Sequence, residues 1–285
     1  MSRGRPNSGN PLPGSQPSQS GGIMATTRTG VERGQFLWHE LVTSDLEPAI
    51  DFYTNVIGWR TEAYDFQGHE GPAYTMWIAG ESPVGGVMQI DRATMGDIPP
   101  GWIGYVQTPD VDATVEQAKN LGGSVIAEPM DLPTVGRMAG LADPQGATFW
   151  ILAPSGEPMR EPQEPGTFSW NELATTNYGA AFDFYSRLFG WRQWDDEDVG
   201  GGMIYRMFGQ GDKMYGGIFN KTADMPGPPH WLYYVKVSDI EAAIVRVTER
   251  GGKVLNGPME VPGGDRVAEC VDPQGAGFAL HEIKK

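Results

Sequence analysis

The chain has one cysteine, four histidines, and only 21 lysines and arginines against 36 aspartates and glutamates in 285 residues. Each shortage excludes something. Cys270 cannot close a disulfide within the chain or build a thiolate-rich metal cluster. It sits in the strand-like stretch "VAECVDPQG", where a buried, inert thiol is expected. A formal net charge of −15 argues against nucleic acid as a partner, because phosphates need basic patches. It argues equally against an anionic membrane surface. No apolar run approaches the roughly 18 residues of a membrane span. A soluble, cytoplasmic protein with a small-molecule ligand is the expectation. No arrangement of Ser, His and Asp, or of Cys and His, reads as a nucleophilic site in the sequence.

What the chain has in quantity is glycine, 40 residues, and proline, 23 residues, a composition of turns and strands. Hydrophobic residues make up 39% and aromatics 11%, enough for real cores. The length suggests two domains. Residues 1–33 are rich in Pro, Gly, Ser and Gln and read as a disordered tail. Arg3 and Arg5 are not followed by the apolar centre of a signal peptide, and Met24 is an alternative start.

From Phe36 the chain repeats itself. Phe36, Trp38, Glu40, Tyr53, Gly58 and Trp59 recur 132 positions later as Phe168, Trp170, Glu172, Tyr185, Gly190 and Trp191. Toward the end of each half, "GRMAGLADPQGATF" and "DRVAECVDPQGAGF" match at an offset of 129. The unit is too long for a solenoid repeat and is a duplicated domain. The expected domains are 34–154 and 167–285, joined by a linker at 155–166.

Each half divides again. Residues 36–43 alternate like a strand. "SDLEPAIDFYTNVIG" reads as a helix capped by Ser44 or Asp45, with Ile50, Tyr53 and Ile57 inward and Gly58 at its end. Three strand-like pieces follow, and after Pro99-Pro100 the order restarts with "GWIGYVQT" and the helix "DVDATVEQAKNLGG", Val111, Val115, Ala118 and Leu121 inward. Asp143-Pro144-Gln145-Gly146 and Asp272-Pro273-Gln274-Gly275 are tight turns. The order strand, helix, three strands appears four times.

This order, with "SDLEPAIDFYTNVIGW", "DVDATVEQAKNLGG", "DPQGATFWIL" and "DPQGAGFAL", resembles the vicinal oxygen chelate superfamily, the glyoxalase, bleomycin-resistance and extradiol dioxygenase group. The likeness covers residues 36–285 and is closest to the tandem glyoxalase-like proteins of actinobacteria. It implies an α+β fold of four βαβββ modules in two glyoxalase-like domains. Each domain would be a cup-shaped mixed sheet with its helices outside and its chemistry inside the cup. The duplication suggests a monomer with an internal pseudo-twofold, or a homodimer.

Metal enzymes of that family carry His or Gln early in a module's first strand and Glu in its last. The resemblance places those positions on Trp38, Trp170, Ile103, Leu232, Trp150 and Ala279. None is a good ligand, so the family's metal site is not expected. A displaced divalent metal at Glu172 and His281, with His230, is the alternative. Period-two alternation puts Glu40 on the face of Trp38, and Glu172 on that of Trp170. A buried carboxylate is costly, so its repetition marks Glu40 and Glu172 as pocket residues or general bases with raised pKa values. Trp38, Trp170, Tyr74, Tyr205, Trp150 and His281 are the candidate ligand-binding residues around them. Arg137 and Arg266 are repeat partners. They either pair with the cup glutamates and grip an acidic substrate, or stand as strand-edge arginines. His39 is expected to be a structural hydrogen-bonder, and His69 to lie exposed in a hairpin. The glycine pairs at Gly85 and Gly216 suggest a bulge or close backbone approach. "WDDEDVG" from Trp194 reads as a solvated acidic loop. The function expected is metal-free binding of a small molecule in an aromatic cup with one Glu per domain. The alternative is an enzyme (lyase, isomerase or hydroxylase/dioxygenase-like) acting on a carbonyl or aromatic substrate with Glu40 or Glu172 as general base, with or without the displaced divalent metal.

Overall fold

The computed structural model describes residues 33–64, 74–156, 165–225 and 227–284. The expectations placed on the N-terminal tail, on His69 and on most of the linker fall outside the described residues. The first module comprises β1 (Phe36–Thr43), α1 (Leu46–Val56), β2 (Arg60–Tyr64), β3 (Tyr74–Ala79) and β4 (Ser82–Gln89). A one-turn helix, α2 (Arg92–Met95), leads to the second: β5 (Gly101–Gln107), α3 (Val111–Asn120), β6 (Ser124–Leu132), β7 (Gly136–Ala142) and β8 (Thr148–Pro154). The other half repeats this as β9 (Phe168–Thr175), α4 (Tyr178–Phe189), β10 (Arg192–Asp198), β11 (Ile204–Gln210) and β12 (Lys213–Asn220). It closes with β13 (His230–Lys236), α5 (Ile240–Glu249), β14 (Lys253–Glu260), β15 (Arg266–Val271) and β16 (Gly277–Glu282).

Each half is one eight-stranded mixed sheet, ordered β2-β3-β4-β1-β5-β8-β7-β6 and β10-β11-β12-β9-β13-β16-β15-β14. The first strands of the two modules pair antiparallel at the centre, Glu40 opposite Ile103 and Glu172 opposite Leu232. The four-module α+β architecture is therefore present. Asp110, Asn177 and Asp239 cap α3, α4 and α5 by accepting the amide three residues on, at 3.0–3.1 Å.

The helices cover one face of each sheet, and the two helix faces meet in a single hydrophobic core drawn from both halves. The contacts across it are reciprocal. Tyr53 Oη donates to Asp272 at 3.2 Å, and Tyr185 Oη to Asp143 at 3.1 Å. Trp59 Nε1 donates to the Gly166 carbonyl and Trp191 Nε1 to that of Gly34, each at 2.7 Å. The Asp-Pro-Gln-Gly turns thus do two jobs. Asp143 accepts the amides of Gln145 and Ala147 to close its own turn, and its second oxygen receives the tyrosine of the other half.

This shared core corrects the expected helix stripe. In α1 the buried residues are Ala49, Phe52, Tyr53 and Val56, with Ile50 and Ile57 only partly covered. The helix is turned because it packs on its own sheet and on α5 together, with Phe52 edge-on to Phe278 of the other half. In α3, Val111, Val115 and Ala118 are buried as expected, Thr114 joins them, and Leu121, the C-cap, is partly buried against the core. The acidic run from Trp194 is strand β10, not a loop. Its Asp196 receives a two-pronged Arg206 at 2.7 and 2.8 Å.

Candidate functional site

The face of each sheet opposite the helices carries its own small cluster. Tyr105, Met138 and Leu152 gather there with Trp38, Ile103 and Trp150; in the other half, Tyr234, Val267 and Ala279 gather with Trp170 and Leu232. These are the cup faces. Strand alternation turns Trp38 and Glu40 toward the first and sends His39 and Leu41 to the core.

On each cup face three side chains form a directed chain. Trp38 Nε1 donates to Tyr74 Oη at 2.9 Å, and Tyr74 Oη donates to Glu40 Oε2 at 2.9 Å. The second half repeats it with Trp170, Tyr205 and Glu172 at 2.7 Å for both bonds. Trp is a donor only and an ionised Glu an acceptor only, so with the carboxyl ionised the chain runs from indole to carboxylate. The glycine pairs make the chain sterically feasible. Gly86 lies beside Glu40, and Gly217 beside Glu172. A Cβ on either would run into the Tyr74 or Tyr205 ring, which lies across that strand. One on Gly85 or Gly216 would meet the carbonyl of His39 or Asn171, the close backbone approach expected from the sequence.

Glu40 and Glu172 are 6% and 9% exposed. Burial raises each carboxyl to about 7, and the tyrosine hydrogen bond opposes this only in part. Tyr105 faces Glu40, and burial and that carboxylate push its phenol well up. Tyr234 occupies the same place beside Glu172, and burial and that carboxylate push its phenol well up. Glu269 adds a second negative charge in the second cup, raising Glu172 further. The chemistry available is therefore a carboxyl that changes charge near neutrality, fixed by a phenol and flanked by indoles.

Other expected residues lie elsewhere. Arg137 and Arg266 do not reach the cup glutamates. Alternation gives the cup face to Met138 and Val267, so both arginines point to the helix side. Arg137 pairs with Asp112 of α3 at 2.8 Å and with Asp131 at 2.9 Å. Arg266 pairs with Glu241 of α5 and, at 3.4 Å, with Glu282. His281 does face the second cup, but its Nδ1 meets Ser169 Oγ at 2.8 Å and its Nε2 meets Asp265 at 3.0 Å. His230 is exposed and bonds the Pro228 carbonyl. Neither joins Glu172, and among the described residues no group of three or more His, Cys, Asp and Glu is placed to hold a metal. The family's ligand positions carry Trp, Ile, Leu and Ala, a donor set that does not fit a divalent cation. His39 is buried between the halves, bonded to Asn171 at 3.1 Å. Cys270 is buried, and burial pushes its thiol up to about 12.

Three site residues escaped the sequence reading: Tyr105, Tyr234 and Glu269. The first two are repeat partners at the 129 offset, a signal open to inspection. Glu269 stands where the first half has Gly140, and nothing local marks it. No helix among the described residues is long and apolar enough to cross a membrane.

Comparison with known proteins agrees with this architecture. The family model described as glyoxalase/bleomycin resistance protein/dioxygenase superfamily matches residues 35–151 and 167–280. CFP32 of Mycobacterium bovis, named as a glyoxylase, is 31% identical over 89% of this chain and 96% of its own length. The anthracycline biosynthesis protein DnrV of Streptomyces peucetius is 33% identical over 87% of this chain and 93% of its own. Among solved structures, the Mn(II)-bound glyoxalase of Novosphingobium aromaticivorans shares the fold. Its TM-score is 0.58 at 17% identity, over 90% of this chain and 84% of that one. The chain belongs to the glyoxalase/bleomycin resistance protein/dioxygenase superfamily, as two tandem glyoxalase-like domains.

Proposed function

We propose that the protein binds a small aromatic molecule on its cup face without a metal. A hydroxyl or carbonyl edge of the ligand meets the Glu–Tyr pair, and its flat face lies on the indole rings. The Trp–Tyr–Glu chain, present in both halves, carries this reading. It fixes one carboxyl oxygen and turns a polar group into an otherwise aromatic surface, the combination that orients a planar ligand. The S. peucetius relative is named for anthracycline biosynthesis, and a flat, hydroxylated polycycle has the chemistry this surface accepts. The reciprocal contacts between the halves favour the monomer as the working unit.

A second reading is enzymatic. Glu40 and Glu172 sit near pH 7, where a carboxylate is an effective general base. A substrate proton next to a carbonyl, or on a phenol, would pass to Glu40 or Glu172.

Titration with a dihydroxyanthraquinone separates these readings. Saturable binding without change in the probe, weakened at least tenfold in the Glu40→Gln/Glu172→Gln double variant, supports the binding function. Conversion of the probe, lost in the same variant, supports the second. No binding, or unchanged binding in the double variant, removes both glutamates from the site. Near-stoichiometric zinc, nickel or iron that survives dialysis would overturn the metal-free reading.

A further inference from the structure

The two cups share the Trp–Tyr–Glu chain but differ on the wall beyond it. In the first, Gly140 lies directly across the β7–β8 ladder from Trp150, and residues so paired share a face. A Cβ on Gly140 would come within 3.0 Å of the Trp150 indole, so the absent side chain lets the ring lie over the backbone. The Trp150 and Tyr105 rings then stand 5.6 Å apart at 41°, an open aromatic wall. In the second cup the same ladder position joins Glu269 to Ala279. The ring is lost and a carboxylate is gained.

Two further exchanges run the same way. Leu37 and Leu152 correspond to Ser169 and His281. The two polar residues are hydrogen-bonded to each other, and His281 also to Asp265. Every one of these exchanges makes the second cup more polar or removes apolar area.

We propose that the flat aromatic ligand binds in the first cup alone, with Trp150 over Gly140 as its specificity-determining platform, and that Glu269 and Ala279 bar it from the second. This rests on the binding function proposed above. A neutral ring gains offset stacking on an indole. Laid over Glu269, it would strip water from a carboxylate and return no hydrogen bond, with no ring beneath it.

Calorimetric titration of the full chain with a dihydroxyanthraquinone tests this. The expected result is one ligand per chain, at least a tenfold loss of affinity in Trp150→Ala, and recovery of most of it in Trp150→Phe. The Glu269→Gly/Ala279→Trp double variant should gain a second site. Two equal sites in the unaltered protein, or one site that Trp150→Ala leaves at full affinity, would overturn the assignment. If that surviving site disappears in Glu172→Gln, the binding function stands and only the choice of cup is wrong. If the probe binds no form of the protein, the binding function fails and this assignment with it.

Discussion

His39 and Asn171 occupy the same position in the two halves, and they hydrogen-bond each other, Nε2 to Oδ1, at 3.1 Å. The His39 ring stacks on Phe168 at 3.8 Å, and Asn171 Nδ2 donates onward to the Tyr215 carbonyl at 2.7 Å. The two halves are thus joined at equivalent points by one ring and one amide.

Burial lowers His39 to about 4, against the smaller raising effect of Asn171. A histidine depressed in the folded state contributes stability that is complete above about pH 6.5 and is lost as pH falls toward 4. The loss amounts to about 3 kcal/mol. His39→Asn should flatten the stability curve across that window, read as urea midpoints from pH 4 to 7. An unchanged slope would mean that His39 is not held neutral.

The cup glutamates act in the opposite sense. Their folded pKa of about 7 lies above the unfolded value, so the folded state is favoured in acid. That advantage fades as pH rises from about 4.5 to 7, by about 3 kcal/mol for each residue. Glu40→Gln and Glu172→Gln should each remove their share of this slope and be more stable than the parent at pH 8. A variant less stable than the parent by several kcal/mol at pH 8 would mark the glutamate as scaffold.

Gly86→Ala and Gly217→Ala test the tyrosines without touching the carboxyls. The added methyl collides with the Tyr74 or Tyr205 ring, and overpacking of this kind costs about 1–3 kcal/mol. Ligand affinity should fall with stability in Gly86→Ala, because the displaced phenol no longer orients Glu40, while Gly217→Ala should lose stability alone. Retained affinity at full stability would show that the ring can move aside.

Trp77 is fully buried, and its Nε1 has no hydrogen-bond partner among the described residues. Its counterpart is Phe208: both pair with the first glycine of their strand, Gly85 and Gly216. An unpaired buried donor costs about 1–3 kcal/mol, so Trp77→Phe should be neutral within about 1 kcal/mol. Trp191→Phe removes a made bond to Gly34 and should cost about 1–3 kcal/mol. Equal losses in chemical denaturation would refute the distinction.

The duplication, the four modules and the cup-facing glutamates were legible because each is a local pattern: a repeat, a strand-helix order, a period of two. Alternation correctly placed Trp38 with Glu40. It also held the answer for Arg137, since Met138 is the better cup residue, but an arginine beside a carboxylate-bearing cup invites the wrong pairing. The facing of α1 was out of reach, because its buried side is set by α5 from the other half. Glu269 was missed for a related reason. It approaches Glu172 only through the curl of a sheet in which two strands separate them.

The reciprocal core has a consequence for how such a chain can change. Tyr53 and Tyr185, Asp143 and Asp272, and Trp59 and Trp191 are identical because each half completes the interior of the other, so an alteration in one copy damages both. Among the described residues, the cup positions that differ between the halves make no such reciprocal contact. There Gly140 and Glu269, or Trp150 and Ala279, answer only to their own cup. Where the halves complete each other the two copies are tied together, whereas positions such as Gly140/Glu269 and Trp150/Ala279 are not, so one concavity can diverge from the other without disturbing the shared interior.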